Sequence, residues 1–149
     1  MSSTEQEIRA AIDQFYSGLT QALNGDPGPI LAAWSHGPEA TAMHPAGGRQ
    51  LGWEEVRGAW EQWSAGVVQG EIRPADVAIR LLTPDVAIVS GLETGGGTIA
   101  GERIAVDARM TLVLRREGGR WRAVHHHVDV IPDLRQAVAR AMTLAGAAG

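Results

Sequence analysis

The chain has 149 residues, 44% hydrophobic and 20% charged, and so is long enough for one domain that buries about 70% of its unfolded surface. Its net charge is -4, and its 13 basic residues, all arginine, are scattered among 17 acidic ones, which leaves no basic patch for nucleic acid or an anionic membrane. The absence of cysteine excludes disulfides, thiolate metal centres and cysteine nucleophiles.

The N-terminus, MSSTEQEIRA, lacks the basic start and apolar core of a signal peptide. No apolar run approaches the ~20 residues of a membrane helix, so a soluble cytoplasmic protein is expected. Thr4 and Glu7 form a capping-box pattern ahead of a helix. Ile8, Ile12, Phe15, Leu19 and Leu23 then recur at helical spacing. The segment Asn24–Pro29 breaks that helix, and a short second one follows from Ile30 to about Trp34. Residues 39–45 read as a first strand ended by Pro45, and AGGRQLG as a tight turn or very short strand. Trp53, Val56, Trp60 and Trp63 fall on one face of a third helix, which SAGVVQG ends.

Strands are predicted over 71–82, 86–94, 104–116 and 121–131, the last two forming a hairpin through the EGG turn. A final helix begins at Pro132, with Leu134, Val138 and Met142 on one side. TGGGTIAG has no phosphate-loop lysine and leads into no helix, so it reads as a strand connection. Helices come first and antiparallel strands later, which makes the class α+β. A curved sheet wrapped around the N-terminal helices would leave a cone with a concave, ligand-sized mouth.

At this point the chain resembles the SnoaL-like family of the nuclear transport factor 2-like superfamily. The resemblance rests on TAMHPAGGRQLGWEEVRGAWEQW and DARMTLVLRREGGRWRAVHHHVD, and within them on His44, Pro45, Gly52, Arg109, Thr111, Trp121, Val124, His125 and His127. The association domain of calmodulin-dependent kinase II is similar over the same stretches. The resemblance spans nearly the whole chain and implies a single cystatin-like cone over 1–149. It also implies a pocket between sheet and helices, and a homodimer through the sheet's outer face. Fold analogy alone does not choose among the family's isomerases, cyclases, dehydratases and non-catalytic members.

The run RWRAVHHHVDV holds three of the five histidines. With simple alternation His125, His127 and Asp129 share one strand face, and His126 belongs to the other. Two hairpin registers fit the turn. Pairing Arg116 with Trp121 sets Arg109 beside Val128. Pairing Arg115 with Trp121 sets Arg109 opposite His127 and Thr111 opposite His125. The second is preferred because it gathers Asp107, Arg109, Thr111, His125, His127 and Asp129 on one face, which would then be the pocket side.

Two functions remain open. One is a cofactor-free isomerase, cyclase or dehydratase. His125 or His127 would move a proton, Arg109 would hold an oxyanion, and Asp129 or Asp107 would orient the base. The other is a non-catalytic ligand-binding or assembly domain. In either, Trp34, Val56 and Trp60 would wall the pocket for a small organic molecule bearing a carboxylate or carbonyl oxygen, with His44 and Thr111 near it. Three consecutive strand histidines cannot meet one ion, so no metal is expected.

Overall fold

The computed structural model describes residues 1–130 and 132–147, the side chains of 132–135 excepted. Ile131 and the Leu134 side chain therefore lie outside the described residues. Helix α1 spans Ser3–Ala22 and buries Ile8, Ile12, Phe15, Tyr16 and Leu19. Its cap lies two residues before the expected one: Ser2 Oγ accepts the Glu5 N–H at 3.1 Å, and Thr4 is already helical. Helix α2 (Gly28–Ala33) crosses α1 so closely that a Cβ on Gly18 would sit 2.8 Å from the Ile30 nitrogen.

Next come β1 (Thr41–His44), β2 (Gly47–Leu51), α3 (Trp53–Gly66), β3 (Val67–Thr83), β4 (Val86–Ile99), β5 (Glu102–Glu117), β6 (Arg120–Asp129) and α4 (Pro132–Ala147). Two strands outrun their predicted limits. β3 leaves α3 directly at Val67, and β4 continues through the glycine run because Gly95, Gly96 and Gly97 pair with Val106, Ala105 and Ile104. Gly95 has φ +139°, and a Cβ there would meet the Glu71 carbonyl oxygen at 1.9 Å. The glycines thus let two backbones approach and bend where sequence pattern suggested a stop.

The sheet order is β2-β1-β6-β5-β4-β3. It is antiparallel, as expected for the long later strands, except between β1 and β6, which run parallel. The helix and meander between those strands supply the crossover that a parallel pair needs. Bulges at Val68/Glu71 and Ala75/Ala78 bend β3, with Gln69 and Asp76 at φ 52° and 51°. The result is the expected α+β cone, a curved, unclosed sheet with helices in its concavity. Ala87, Val89, Ala108, Met110, Leu112 and Leu114 supply its buried inner face. Among the described residues no helix is long and apolar enough to cross a membrane. The described side chains of α4 are exposed, Val138 and Met142 included.

The β5–β6 hairpin takes neither of the two registers read from the sequence along its whole length. At the turn Arg116 pairs with Trp121. Val124 is then an extra residue, between the pairs Leu114–Ala123 and Val113–His125. The bulge reverses the alternation: Trp121 and Ala123 are buried before it, His126 and Val128 after it. Beyond it Thr111 opposes His127, and Arg109 opposes Asp129. The polar residues share a face as expected, but that face is the outer one. The inner face packs on helices and takes the apolar side of each strand. The turn end is held to α1 through Glu7, which accepts from Arg116 at 3.0 Å and from the Trp121 indole at 3.3 Å.

Gly95→Ala should lower the free energy of unfolding by about 2 kcal/mol or more, because strain and a backbone clash act together. Urea denaturation followed by circular dichroism measures this, and an unchanged midpoint would contradict the close approach of β3 and β4.

Candidate functional site

Inside the cone lies a cavity of about 350 Å³, the size of a small-molecule site. Leu19 of α1, Trp60 and Trp63 of α3, and Val106 and Val128 of the sheet are among its apolar walls. His44, Glu93 and His126 are the titratable residues that line it.

Local rules place each of the three. In β4 the residues Ala87, Val89, Gly91 and Glu93 alternate onto one face, which carries Glu93 inward to 3% exposure. In β6 the Val124 bulge turns His126 inward to 2% exposure. His44, the last residue of β1, is inward-facing and 8% exposed.

A buried carboxylate needs donors. Glu93 Oε1 accepts the Tyr16 hydroxyl at 2.7 Å and meets His126 Nε2 at 2.8 Å. A carboxylate only accepts, so His126 Nε2 carries the proton of that bond and Nδ1 is the ring's free nitrogen. That Nδ1 is buried and has no protein partner. Phe15 packs edge-on against the same ring at 4.9 Å and fixes its plane. Burial first, then the Glu93 charge and its hydrogen bond, push the Tyr16 phenol far above its ordinary range, so it stays a donor. Burial also lowers His44 to about 4, with the nearby His126 adding to this and the Glu93 charge opposing it. His44 is therefore neutral at pH 7. Its ring crosses Trp60 at 90°, with centroids 5.2 Å apart.

The sequence-expected residues divide between the two faces of the sheet. His44 and Trp60 line the cavity. Trp34 and Val56, each 0% exposed, belong to the packed core and not to the cavity wall. Arg109, Thr111, His127 and Asp129 line an open groove on the outer face with Asp76 and Ser90. Asp107 is exposed and paired with Thr94. His125 Nδ1 lies 2.7 Å from Thr41 Oγ1, and partial burial, followed by the charges of His127 and His126, lowers its pKa. His127 Nε2 stands 3.7 Å from Asp129 Oδ2. The expectation that His125 and His127 face the pocket and His126 the outside is thus reversed, because one bulged residue shifts the phase. Among the described residues no group of three or more His, Asp or Glu is placed to hold a metal ion.

Sequence reasoning missed Glu93, Tyr16, His126 and Trp63. A signal existed for Glu93, which continues the Ala87, Val89 and Gly91 alternation. One existed for Tyr16 too, since a phenol on an apolar helix stripe needs a buried partner.

The SnoaL-like domain family matches residues 8–132 of the chain. No curated protein matches. Among solved structures, a candidate dehydratase of the NTF2-like family from Streptomyces avermitilis is similar at 20% identity and TM-score 0.75, over 85% of this chain and 94% of that one. A candidate calcium/calmodulin-dependent protein kinase II association domain from Xanthomonas campestris is similar at 21% identity and TM-score 0.70, over 85% and 86%. An uncharacterised protein with a cystatin-like fold from Caulobacter vibrioides is similar at 17% identity and TM-score 0.73, over 93% and 99%. At these identities the likeness concerns fold alone.

The depressed His44 predicts an acid-sensitive fold. The unfolded chain takes up this proton at the ordinary 6.5, the folded chain only at about 4. Stability should therefore fall as pH drops from 6.5 to about 4, by roughly 3 kcal/mol for this group, and the group's effect should level off below that. Urea unfolding across that range measures the loss. His44→Phe should flatten that part of the profile, and an unaltered profile would refute the assignment.

Proposed function

The chain belongs to the SnoaL-like family, and on that premise we propose that it is a cofactor-free acid–base enzyme of the isomerase, cyclase or dehydratase kind, working on a small organic molecule held in the cone. The carrying observation is the Glu93 carboxylate, 3% exposed, bonded to Tyr16 and His126 at the wall of an apolar cavity. Burying such a group without a task would cost stability for nothing.

The roles follow from the bonds. His126 Nδ1 takes a proton from a carbon or hydroxyl of the substrate. Glu93 stabilises the imidazolium that results, as a carboxylate behind a histidine does in other acid–base sites. The Tyr16 hydroxyl holds Glu93 in place. Returning the proton to another atom of the substrate gives isomerisation, and giving it to a departing hydroxyl gives dehydration. His44, neutral at pH 7, is the second acid–base group. The site residues expected first, His125, His127, Asp129 and Arg109, take no part in this chemistry.

The alternative is a non-catalytic ligand-binding or assembly domain, and it leaves the Tyr16–Glu93–His126 cluster without a task. Assembly is assigned instead to the outer face. We propose a homodimer there, because its groove carries both Arg109 and the carboxylates Asp76 and Asp129. A two-fold axis can set opposite charges of one such surface against each other. Arg109→Glu should then shift sedimentation from dimer to monomer, while a wild-type monomer at micromolar concentration would exclude the dimer.

Turnover of 5-nitrobenzisoxazole tests the catalytic proposal. Its ring opens when a base removes the C3 proton. The C–H electron pair becomes the third C–N bond, the N–O bond breaks, and the oxygen leaves as a coloured phenolate. Wild type should beat buffer alone, and His126→Ala and Glu93→Gln should each lower kcat/KM by about 10². His127→Ala should stay within about twofold. Equal rates for wild type and the His126 and Glu93 variants would overturn the proposal.

A further inference from the structure

Both donors of the inner cluster end on one oxygen. Tyr16 and His126 bond Glu93 Oε1, and among the described residues no donor bonds Oε2. Glu93 is 3% exposed, yet Oε2 is not one of the sealed side-chain atoms that lack a partner, so it opens onto the cavity that Glu93 lines. A phenol and a neutral imidazole donate to the carboxylate but bring no positive charge to offset it. No arginine is among the described residues that line the cavity, and the chain has no lysine. His126 Nδ1 is the second unmet group. Its residue is 2% exposed, and the bond to Glu93 leaves this nitrogen an acceptor without a partner. The chamber thus presents two acceptors and one negative charge inside hydrocarbon walls, where a charge is costly until a counter-charge arrives.

These features restrict the ligand. An anion would meet Glu93 as a like charge, and Arg109, the cation that could hold a carboxylate, lies on the outer face. A neutral molecule with a donor satisfies a hydrogen bond but leaves the charge. A cation that donates satisfies both, and Trp60 and Trp63 in the wall add the attraction of indole rings for positive charge. We infer that the chamber takes a small lipophilic amine in its protonated form, with its ammonium group on Glu93 Oε2 and its hydrocarbon part in the rest of the cavity of about 350 Å³. This names the substrate class of the proton-transfer reading and rests on it for the cone being a substrate site. The reacting C–H or hydroxyl is left for His126 Nδ1. When that nitrogen takes a C–H proton, the electron pair stays on the substrate carbon, and the ammonium group of the same molecule stabilises the developing negative charge.

Calorimetric binding at pH 7 of three molecules built on one benzyl group tests the inference: benzylamine as the cation, benzyl alcohol as the neutral donor and phenylacetate as the anion. A purely apolar chamber would favour the alcohol, because a neutral group costs least to take out of water. Wild type should instead bind benzylamine about tenfold or more tighter than benzyl alcohol, and phenylacetate most weakly. Glu93→Gln keeps the shape of the side chain and removes its charge. It should bring benzylamine to within about threefold of the alcohol and leave the alcohol within about threefold of its wild-type affinity. The wild-type ranking decides even if this variant fails to fold: an alcohol as tight as the amine, phenylacetate ahead of either, or no binding of any of the three would overturn the inference. An amine preference that survives Glu93→Gln would overturn it too. The two proposals fail separately: loss of the amine preference leaves the His126-dependent turnover intact, whereas loss of turnover with the preference preserved leaves an amine-binding chamber without catalysis.

Discussion

One inserted residue, Val124, decides which side chains of β6 this fold turns inward. A strand alternates its side chains, so the buried Trp121 and Ala123 would send His125 and His127 inward as well if β6 were regular. The bulge breaks that phase. His126 enters the core instead, and His125, His127 and Asp129 are carried to the outer face beside Arg109 and Thr111. Bulges near functional sites commonly re-aim a side chain in this manner. The outer polar groove and the inner acid–base cluster follow from the same inserted residue.

The inner cluster is viable because its members satisfy one another. Glu93 alone among the surrounding aliphatic and aromatic side chains would be costly to ionise. Tyr16 from α1 and His126 from β6 both bond to it, so three elements distant in sequence meet at one oxygen. Removing one member would leave a buried charge partly uncompensated, which couples folding to the integrity of the site. The unpaired nitrogens of His44, Trp60 and His126 mark the opposite tendency. Among the described residues, half of the unpartnered buried atoms thus lie at the cavity, the others being on Trp34 in the packed core, Gln50 and Arg116.

Much of the fold was legible in the sequence. The α1 stripe from Ile8 to Leu19 reads directly as a buried face, and the Trp53–Trp60–Trp63 spacing places α3. The apolar residues Ala108, Met110, Leu112 and Leu114 mark one side of β5. The site was less legible. Arg109, Thr111, His125, His127 and Asp129 do share one face, but a polar cluster on a strand does not mark this pocket, which is largely hydrocarbon while the cluster faces outward. The parity switch inside β6, apolar at Trp121 and Ala123 and then at Val128, was the available clue to the bulge. Glu93 carries no motif. Its role depends on Tyr16, which is 77 residues away in the chain, and only tertiary structure brings the two together.

The most direct test of the cluster reads the protons on one ring. Long-range proton–nitrogen correlation spectra of the imidazoles at pH 8 report which nitrogen of each histidine is protonated. His126 should carry its proton on Nε2, shared with Glu93, with Nδ1 bare and free to accept a proton from a substrate. A proton on His126 Nδ1 with Nε2 bare would contradict both the Glu93 bond and the role of this ring as the base.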